Sequence, residues 1–469
     1  MCPVSLIPSQ TYRSDTPYFD FMVTAEGAAL KELVADVAAI LENRTDRQRA
    51  RKAIDKANFL RGVDALVCNL VVSVLEREGG PFAVSLNKNQ ARWKRSRYNS
   101  HGVKQDTFLG IIAAADGEFL TLTKAARSPY RAQHGKASTI EPTPAFAAEV
   151  RARGIALSDL GARREAELIA LTQKQPKEDA WRWDDQTETV LIDYRDNRFT
   201  NAARAEMQAL RDHLAAAAVE FVDDGEYPRV DTKRRDLQRR FIVPPHIEGK
   251  ALRAAPTGRN LEGGRMAGNA FWLTLRKDRR RASLRLDGEP IAEVDFNAMF
   301  PRLACAKAEH PIGGNGDSAQ SDMARDFYAP IVEAVLEHSP EAPRDKLRSG
   351  VKQSLSALLF APTLRRWPEK IRARLPKQFS VEDMRRVVWE VYPALWPYVD
   401  AASSKEKRGI GYRLMRIESD IIVRACLALA ALGITALPIH DAVLVPRSNA
   451  LDERRAEVVS FSPAEERNA

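Results

Sequence analysis

The chain has 469 residues, of which 44% are hydrophobic and 29% charged, a balance that excludes disordered, collagen-like and disulfide-framework proteins. Its 72 Lys and Arg outnumber 63 Asp and Glu, for a net charge of +9. The length admits roughly two to four domains.

The N-terminus, Met1-Cys2-Pro3-Val4-Ser5, lacks the basic-then-apolar layout of a signal peptide. No apolar run is read as reaching the ~20 residues of a membrane span. Cys2, Cys68, Cys305 and Cys426 show no CxxC spacing. They are expected to be reduced residues of a cytoplasmic protein, without a zinc site or disulfide framework.

Residues 1–25, with Pro3, Pro8 and Pro17, read as loosely structured. A helical stripe of Leu30, Leu33, Val34, Val37, Ile40 and Leu41 follows, then a very apolar helix over 64–78 that ends at Gly79-Gly80-Pro81. Residues 84–150 combine a basic segment with strand-like pieces at 108–113 and 118–123. Asp116-Gly117 between them is a hairpin signal. Helix, basic helix and hairpin together suggest a winged-helix-like nucleic-acid-binding module. Residues 151–250 read as mostly helical, with an alanine-rich helix over 201–222 that could serve as a thumb or a spacer. The last segment, 451–469, is polar and expected to fray. The expected units are therefore 1–83, 84–150, 151–250, 251–450 and 451–469.

The basic excess clusters at Arg92-Trp93-Lys94-Arg95-Ser96-Arg97, at Lys233-Arg234-Arg235 with Arg239-Arg240, and at Arg276-Lys277-Asp278-Arg279-Arg280-Arg281. Such clusters suit a polyanion, although each alone reads equally well as a solvated face.

All recognisable chemistry lies in 251–450. Leu437 to Pro446 is apolar on both sides of His440-Asp441, which predicts a strand, a tight turn carrying the acid, and a second strand. Upstream, Ile291-Ala292-Glu293-Val294-Asp295 reads as a strand ending in a second acid, followed by a helix start. Two strand-end aspartates from distant segments can hold two divalent metals about 3.5–4 Å apart for phosphoryl transfer. Between them lies Arg348-Ser349-Gly350-Val351-Lys352, with Phe360 eight residues after the lysine. Positions four and eight apart share a helix face.

These blocks resemble motifs A, B and C of the right-hand polymerases, meaning family A DNA polymerases and the related single-subunit phage-type RNA polymerases. Asp295-Phe296-Asn297-Ala298-Met299-Phe300-Pro301-Arg302 has the length and the terminal Asp and Arg of motif A, and Ile439-His440-Asp441-Ala442 resembles motif C. Arg348, Lys352 and Phe360 follow motif B. Leu261-Glu262-Gly263-Gly264-Arg265 is similar to the element whose Arg contacts the primer–template duplex. Residues 326–332 resemble the short helix before motif B, and the helix from Tyr412 to Leu432 has the place of the one before motif C.

The resemblance implies a helix-rich α+β fold with a palm sheet and helical fingers and thumb. It implies DNA synthesis from dNTPs on a primer–template without proofreading, using two Mg²⁺ ions. Asp295 and Asp441 would be the catalytic metal ligands, with the Phe296 carbonyl. Arg348 and Lys352 would meet the triphosphate, while Phe360 stacks near the incoming sugar and base. Gly264, Arg265 and His440 would face the primer strand, and Arg302 would pack or pair within the palm.

Motif C lacks a second acid, having Ala442, as the phage-type RNA enzymes also do. Phe300 stands where the DNA enzymes carry a Glu that blocks a ribose 2′-hydroxyl. Its apolar bulk would leave that hydroxyl unpaired, and Phe360 lacks the Tyr hydroxyl that helps recognise ribose. Both favour deoxynucleotides. The alternatives are an RNA-polymerase or primase-like enzyme, a nucleic-acid-binding protein with an inactive palm and, last, a metal-dependent nuclease.

Overall fold

The computed structural model describes residues 16–44, 50–86, 97–98, 102–125, 137–163, 166–176, 187–226, 228–247, 260–308, 326–340, 342, 344–400, 402 and 409–450. They form a mixed α+β fold built on successive hydrophobic cores.

The first core runs from Phe19 to Leu160 without a break at residue 83. Phe82 and Val84 sit on a strand whose partner, Ser138–Pro142, lies beyond that point. Residues 1–15 lie outside the described residues, but the expectation of a loose start fails from Phe19 onward. Phe19, Phe21 and Val23 are buried, and Val23–Ala25 pairs antiparallel with Leu160–Ala162. The rings of Phe19 and Phe21 each lie within 4.9 Å of Phe108, so aromatic packing orders the segment.

The helical stripe holds at Leu30, Leu33, Val37 and Leu41, while Ile40 turns outward at 38% exposure. The next helix, Ala53–Arg77, is long and apolar enough to cross a membrane by length and composition, a property the sequence reading missed; 72% of its most apolar window is buried in this core. Its buried Asn69 is satisfied by donating to the carbonyls of Asp20 and Ala65.

The strand expected at 108–113 is instead part of the helix Gln105–Ala115. Phe108, Ile111, Ile112 and Ala115 are its buried residues. Their spacing is that of one helix face, and the core selects it over strand propensity. Asp116-Gly117 therefore joins helix to strand and closes no hairpin; the strand Leu120–Thr123 pairs with Ser138–Pro142. Residues 87–96, the body of the first basic cluster, lie outside the described residues.

The second core combines residues 168–292 with 422–445. The mostly helical reading of 151–250 is overturned here. The region supplies strands Leu160–Ala162, Ile169–Pro176, Thr187–Leu191, Val219–Phe221 and Leu237–Ile242 around one long helix, Arg198–Ala216. That helix buries Met207, Leu210 and Leu214 against the sheets rather than standing free as a thumb. It stops short of 222 because Val219–Phe221 pairs antiparallel with Leu284–Leu286.

Two sheets share this core. The five-stranded one runs Leu437–Ile439, Ala442–Pro446, Glu289–Asp295, Leu284–Leu286, Val219–Phe221, antiparallel throughout. The four-stranded one runs Glu262–Gly268, Leu237–Ile242, Ile169–Pro176, Thr187–Leu191. The helix Gly411–Ala431 lies against both, burying Ile422, Val423 and Cys426.

The third core is helical and spans 304–414. It contains Ala329–His338, Arg344–Phe360 and Val381–Val391, with Met299–Lys307 leading in from the sheet. Cys68, Cys305 and Cys426 are buried free thiols, as expected; Cys2 and the tail 451–469 lie outside the described residues.

Much of the basic excess expected to face a polyanion is used inside the fold. Buried Arg239 pairs with Asp420 and Glu206, Arg279 pairs with Asp224 at 2.5 Å, and Arg97 pairs with Asp193 and Asp196. Arg235 donates to the carbonyls of Leu214 and Ala217, closing the end of the Arg198–Ala216 helix.

Candidate active site

The hairpin 437–446 forms as its pattern predicts, with His440 and Asp441 at the turn. Trp272 anchors it by donating its indole N–H to the Pro438 carbonyl at 2.9 Å. The strand Glu289–Asp295 pairs with the second arm in a register that sets Asp295 opposite Ala442. That register brings the two acids to the same end of neighbouring strands. Few non-glycine described residues adopt positive φ, yet His440 (51°) and Ala298 (50°) both do. Each left-handed turn redirects the chain beside one aspartate, at a cost of roughly 1–2 kcal/mol.

Partial burial, then the repulsion of Asp441, holds the Asp295 carboxyl above the usual carboxylate range, and the Lys352 ammonium opposes the rise. Asp295 is solvent-exposed by area, so the more telling influences are the two charges. Lys352 is exposed on the helix Arg344–Phe360. The charges of Asp441 and Lys352, from two other segments, thus both reach Asp295.

Arg348 and Phe360 lie on the same helix. Arg348 is held bidentately by Asp326 at 2.6 and 2.9 Å, an occupation the sequence did not suggest. Phe360 lies 5.7 Å from the Phe300 ring and 5.0 Å, edge to face, from Tyr412. Phe300 is half-buried and packs on the helical core, with the Arg265 guanidinium 5.6 Å from its ring. Phe296 is half-buried immediately after Asp295. The Arg302 guanidinium lies 5.7 Å from the Phe327 ring, in keeping with packing rather than a substrate role.

The Gly263-Gly264-Arg265 element is a bulge in the strand Glu262–Gly268, with φ of 73° and 86° at the glycines. The φ of Gly264 favours glycine, and a Cβ there would also press on Arg416 and the Phe241 ring at 3.1 Å. The Gly264 carbonyl accepts from Arg239 and Ser419, and Arg265 forks onto Glu418 at 2.9 and 3.0 Å.

Sequence reading missed this counterpart. Arg416-Ile417-Glu418-Ser419-Asp420 interrupts an otherwise apolar helix, and that interruption was the available signal. Glu418 is buried, and burial raises its pKa to about 7; Arg265 opposes the rise, while Asp441 and Asp295 add to it. His440 is exposed at the turn, but partial burial of its ring, then Arg265, hold it below the usual imidazole range.

Among the described residues, no three His, Cys, Asp or Glu side chains gather to hold a metal ion. The donor set here is two carboxylates. That fits a hard cation such as Mg²⁺, which keeps several waters and takes phosphate oxygens from its substrate, and which would relieve the repulsion between Asp295 and Asp441. In comparison with known proteins, no family model, curated protein or solved structure matches the chain.

Proposed function

We propose that the chain performs template-directed nucleotidyl transfer, extending a DNA primer with dNTPs on a right-hand polymerase scaffold. What supports the reading is one convergence. Asp295, Asp441 and Lys352 belong to three sequence blocks that resemble polymerase motifs A, C and B, and their charges act on one carboxylate. A basic surface helix with unrelated acids elsewhere would give no such meeting.

In this reading the sheet core is the palm and the helical core the fingers. Asp295 and Asp441, with the Phe296 carbonyl, would hold divalent ions that supply Lewis-acid activation of the primer 3′-hydroxyl and neutralise the leaving pyrophosphate. Lys352, whose charge already reaches Asp295, steadies the triphosphate as charge develops on it. Arg348 joins after releasing Asp326, which couples nucleotide binding to movement of the Arg344–Phe360 helix. Phe300 and Phe360 form the apolar side of the sugar pocket, where a 2′-hydroxyl meets no partner.

The test is extension of a labelled primer–template with Mg²⁺, supplying dNTPs and NTPs in parallel, with an Asp441→Ala control and a primer-free lane. Extension with dNTPs that is lost in the variant supports the reading. Near-normal extension by Asp441→Ala sinks it. Extension with NTPs, or without primer, moves the assignment to RNA or primer synthesis.

A further inference from the structure

We propose that Glu418 is a positioning residue for sugar selection: by holding the Arg265 guanidinium over the Phe300 ring, it fixes the gate that tests the nucleotide 2′-position. This rests on the DNA-synthesis reading above.

A carboxylate with a side chain only 1% exposed is costly to keep in a fold. Glu418 is kept, and accepts from both Nε and Nη2 of Arg265. This fork fixes the guanidinium plane as well as its place. The guanidinium carbon lies 5.6 Å from the centre of the Phe300 ring, and the Phe300 and Phe360 ring centres are 5.7 Å apart. Phe360 meets Tyr412, which begins the very helix that carries Glu418. The contacts close a circuit: Glu418, Arg265, Phe300, Phe360, Tyr412, and back along one helix. The gate ring thus neighbours both a guanidinium and an aromatic ring.

Docking alone does not account for the pair. Arg239, Ser419 and Asp420 already tie this helix to the same glycine bulge. Nor does solubility, since the carboxylate is buried. What Glu418 adds is a fixed orientation for the Arg265 guanidinium that lies over the gate ring.

The experiment compares kcat/KM for a dNTP and its matching NTP in wild type, Glu418→Gln, Phe300→Ala and the double variant. Glu418→Gln keeps the shape but replaces one of the two acceptor oxygens with an N–H donor, so the two-point fork onto Arg265 is lost. The NTP:dNTP ratio should rise about tenfold, the scale of a misfitted pocket contact. In the Phe300→Ala background, Glu418→Gln should leave the ratio unchanged, because the ring it positions is gone. Asp420→Asn, which loosens docking, should lower the melting temperature without moving the ratio. Equal loss of both substrates in Glu418→Gln, or an additive effect in the double variant, overturns the proposal.

Should Glu418→Gln fail to fold, Glu418→Asp keeps the charge but shortens the reach, and should move the ratio in the same direction; an unmoved ratio counts against the proposal. Should the wild type extend nothing, the polymerase reading falls by itself. Crystal structures of wild type and variant then decide the positioning claim: Arg265 displaced from Phe300 upholds it, and Arg265 unmoved overturns it.

Discussion

Asp295 stands opposite Ala442 in the antiparallel ladder, one residue from Asp441. Acids 146 residues apart, 441 less 295, therefore reach the same strand ends through backbone pairing alone. Side-chain period in a sheet is two, so a one-residue slip would turn one acid to the opposite face. The constellation depends on register before it depends on any side-chain contact.

Replacing either acid with its amide tests this directly. Asp295→Asn and Asp441→Asn should each lower primer extension by about 10²–10³-fold or more, the scale of losing a group that stabilises developing charge. Because removing one acid relieves repulsion on the other, melting temperature should hold or rise. Loss of activity accompanied by unfolding would point to a structural role.

Lys352 and Arg348 should behave differently despite sharing a face. Lys352 already acts on Asp295, so Lys352→Ala should cost about 2 kcal/mol of transition-state stabilisation, roughly 30-fold in kcat/KM. Arg348 is occupied by Asp326. The pair is exposed and worth at most about 1 kcal/mol, so Asp326→Asn should lower the dNTP KM by roughly 2–5-fold at low salt. High salt should erase the effect. Steady-state kinetics at two ionic strengths would read both; a higher KM in Asp326→Asn would show that Arg348 does not need to be released.

Gly411→Ala should disturb the aromatic wall from behind. A Cβ there would meet the Phe360 ring at 2.6–2.7 Å, and that ring is flanked by Phe300 and Tyr412 and has little room to move. Alanine would gain about 1 kcal/mol of helix propensity. The overpacking cost, about 1–3 kcal/mol, should win. Denaturant unfolding would register the loss, and the NTP:dNTP ratio should shift with it. A variant as stable as wild type would mean the ring can retreat.

Stability should fall as pH rises toward neutrality, because of Glu76. Burial raises its pKa from 4.5 to about 7, with Arg234 opposing and Asp231 reinforcing the rise. Arg234 approaches at 3.2 Å, yet the buried Oε1 has no hydrogen bond. The folded chain binds this proton more tightly than the unfolded one. The contribution is therefore fully present below about pH 4.5 and lost as pH rises through about 7. Asp231, also raised by burial, acts in the same sense. Glu76→Gln should flatten the dependence by on the order of 2 kcal/mol. Urea unfolding at pH 5 and pH 8 would show it; equal slopes in wild type and variant would remove Glu76 as the source.

The hairpin at 437–446, the strand ending at Asp295, and the helix carrying Arg348, Lys352 and Phe360 were all legible, because each announces itself by local periodicity. Residues 108–113 were not. A short apolar run satisfies both helix and strand patterns, and only the buried face of Phe108, Ile111 and Ile112 decides between them. The region 151–250 misled for a different reason: strands such as Val219–Phe221 and Leu237–Ile242 draw their stability from partners distant in sequence, Leu284–Leu286 and Ile169–Pro176.

The sequence by itself determined the candidate residues and their local setting: two aspartates at strand ends, a cation and an aromatic on one helix, and a glycine pair before an arginine. These follow from residue type and spacing over a few positions, which local geometry constrains. Tertiary structure alone decided what those residues touch. It set Asp295 beside Asp441, gave Arg348 to Asp326, and placed Arg265 between Glu418 and Phe300. Such pairings depend on strand register and helix docking between separate segments, 22 residues apart for Arg348 and Asp326 and 153 for Arg265 and Glu418, and no local pattern encodes them.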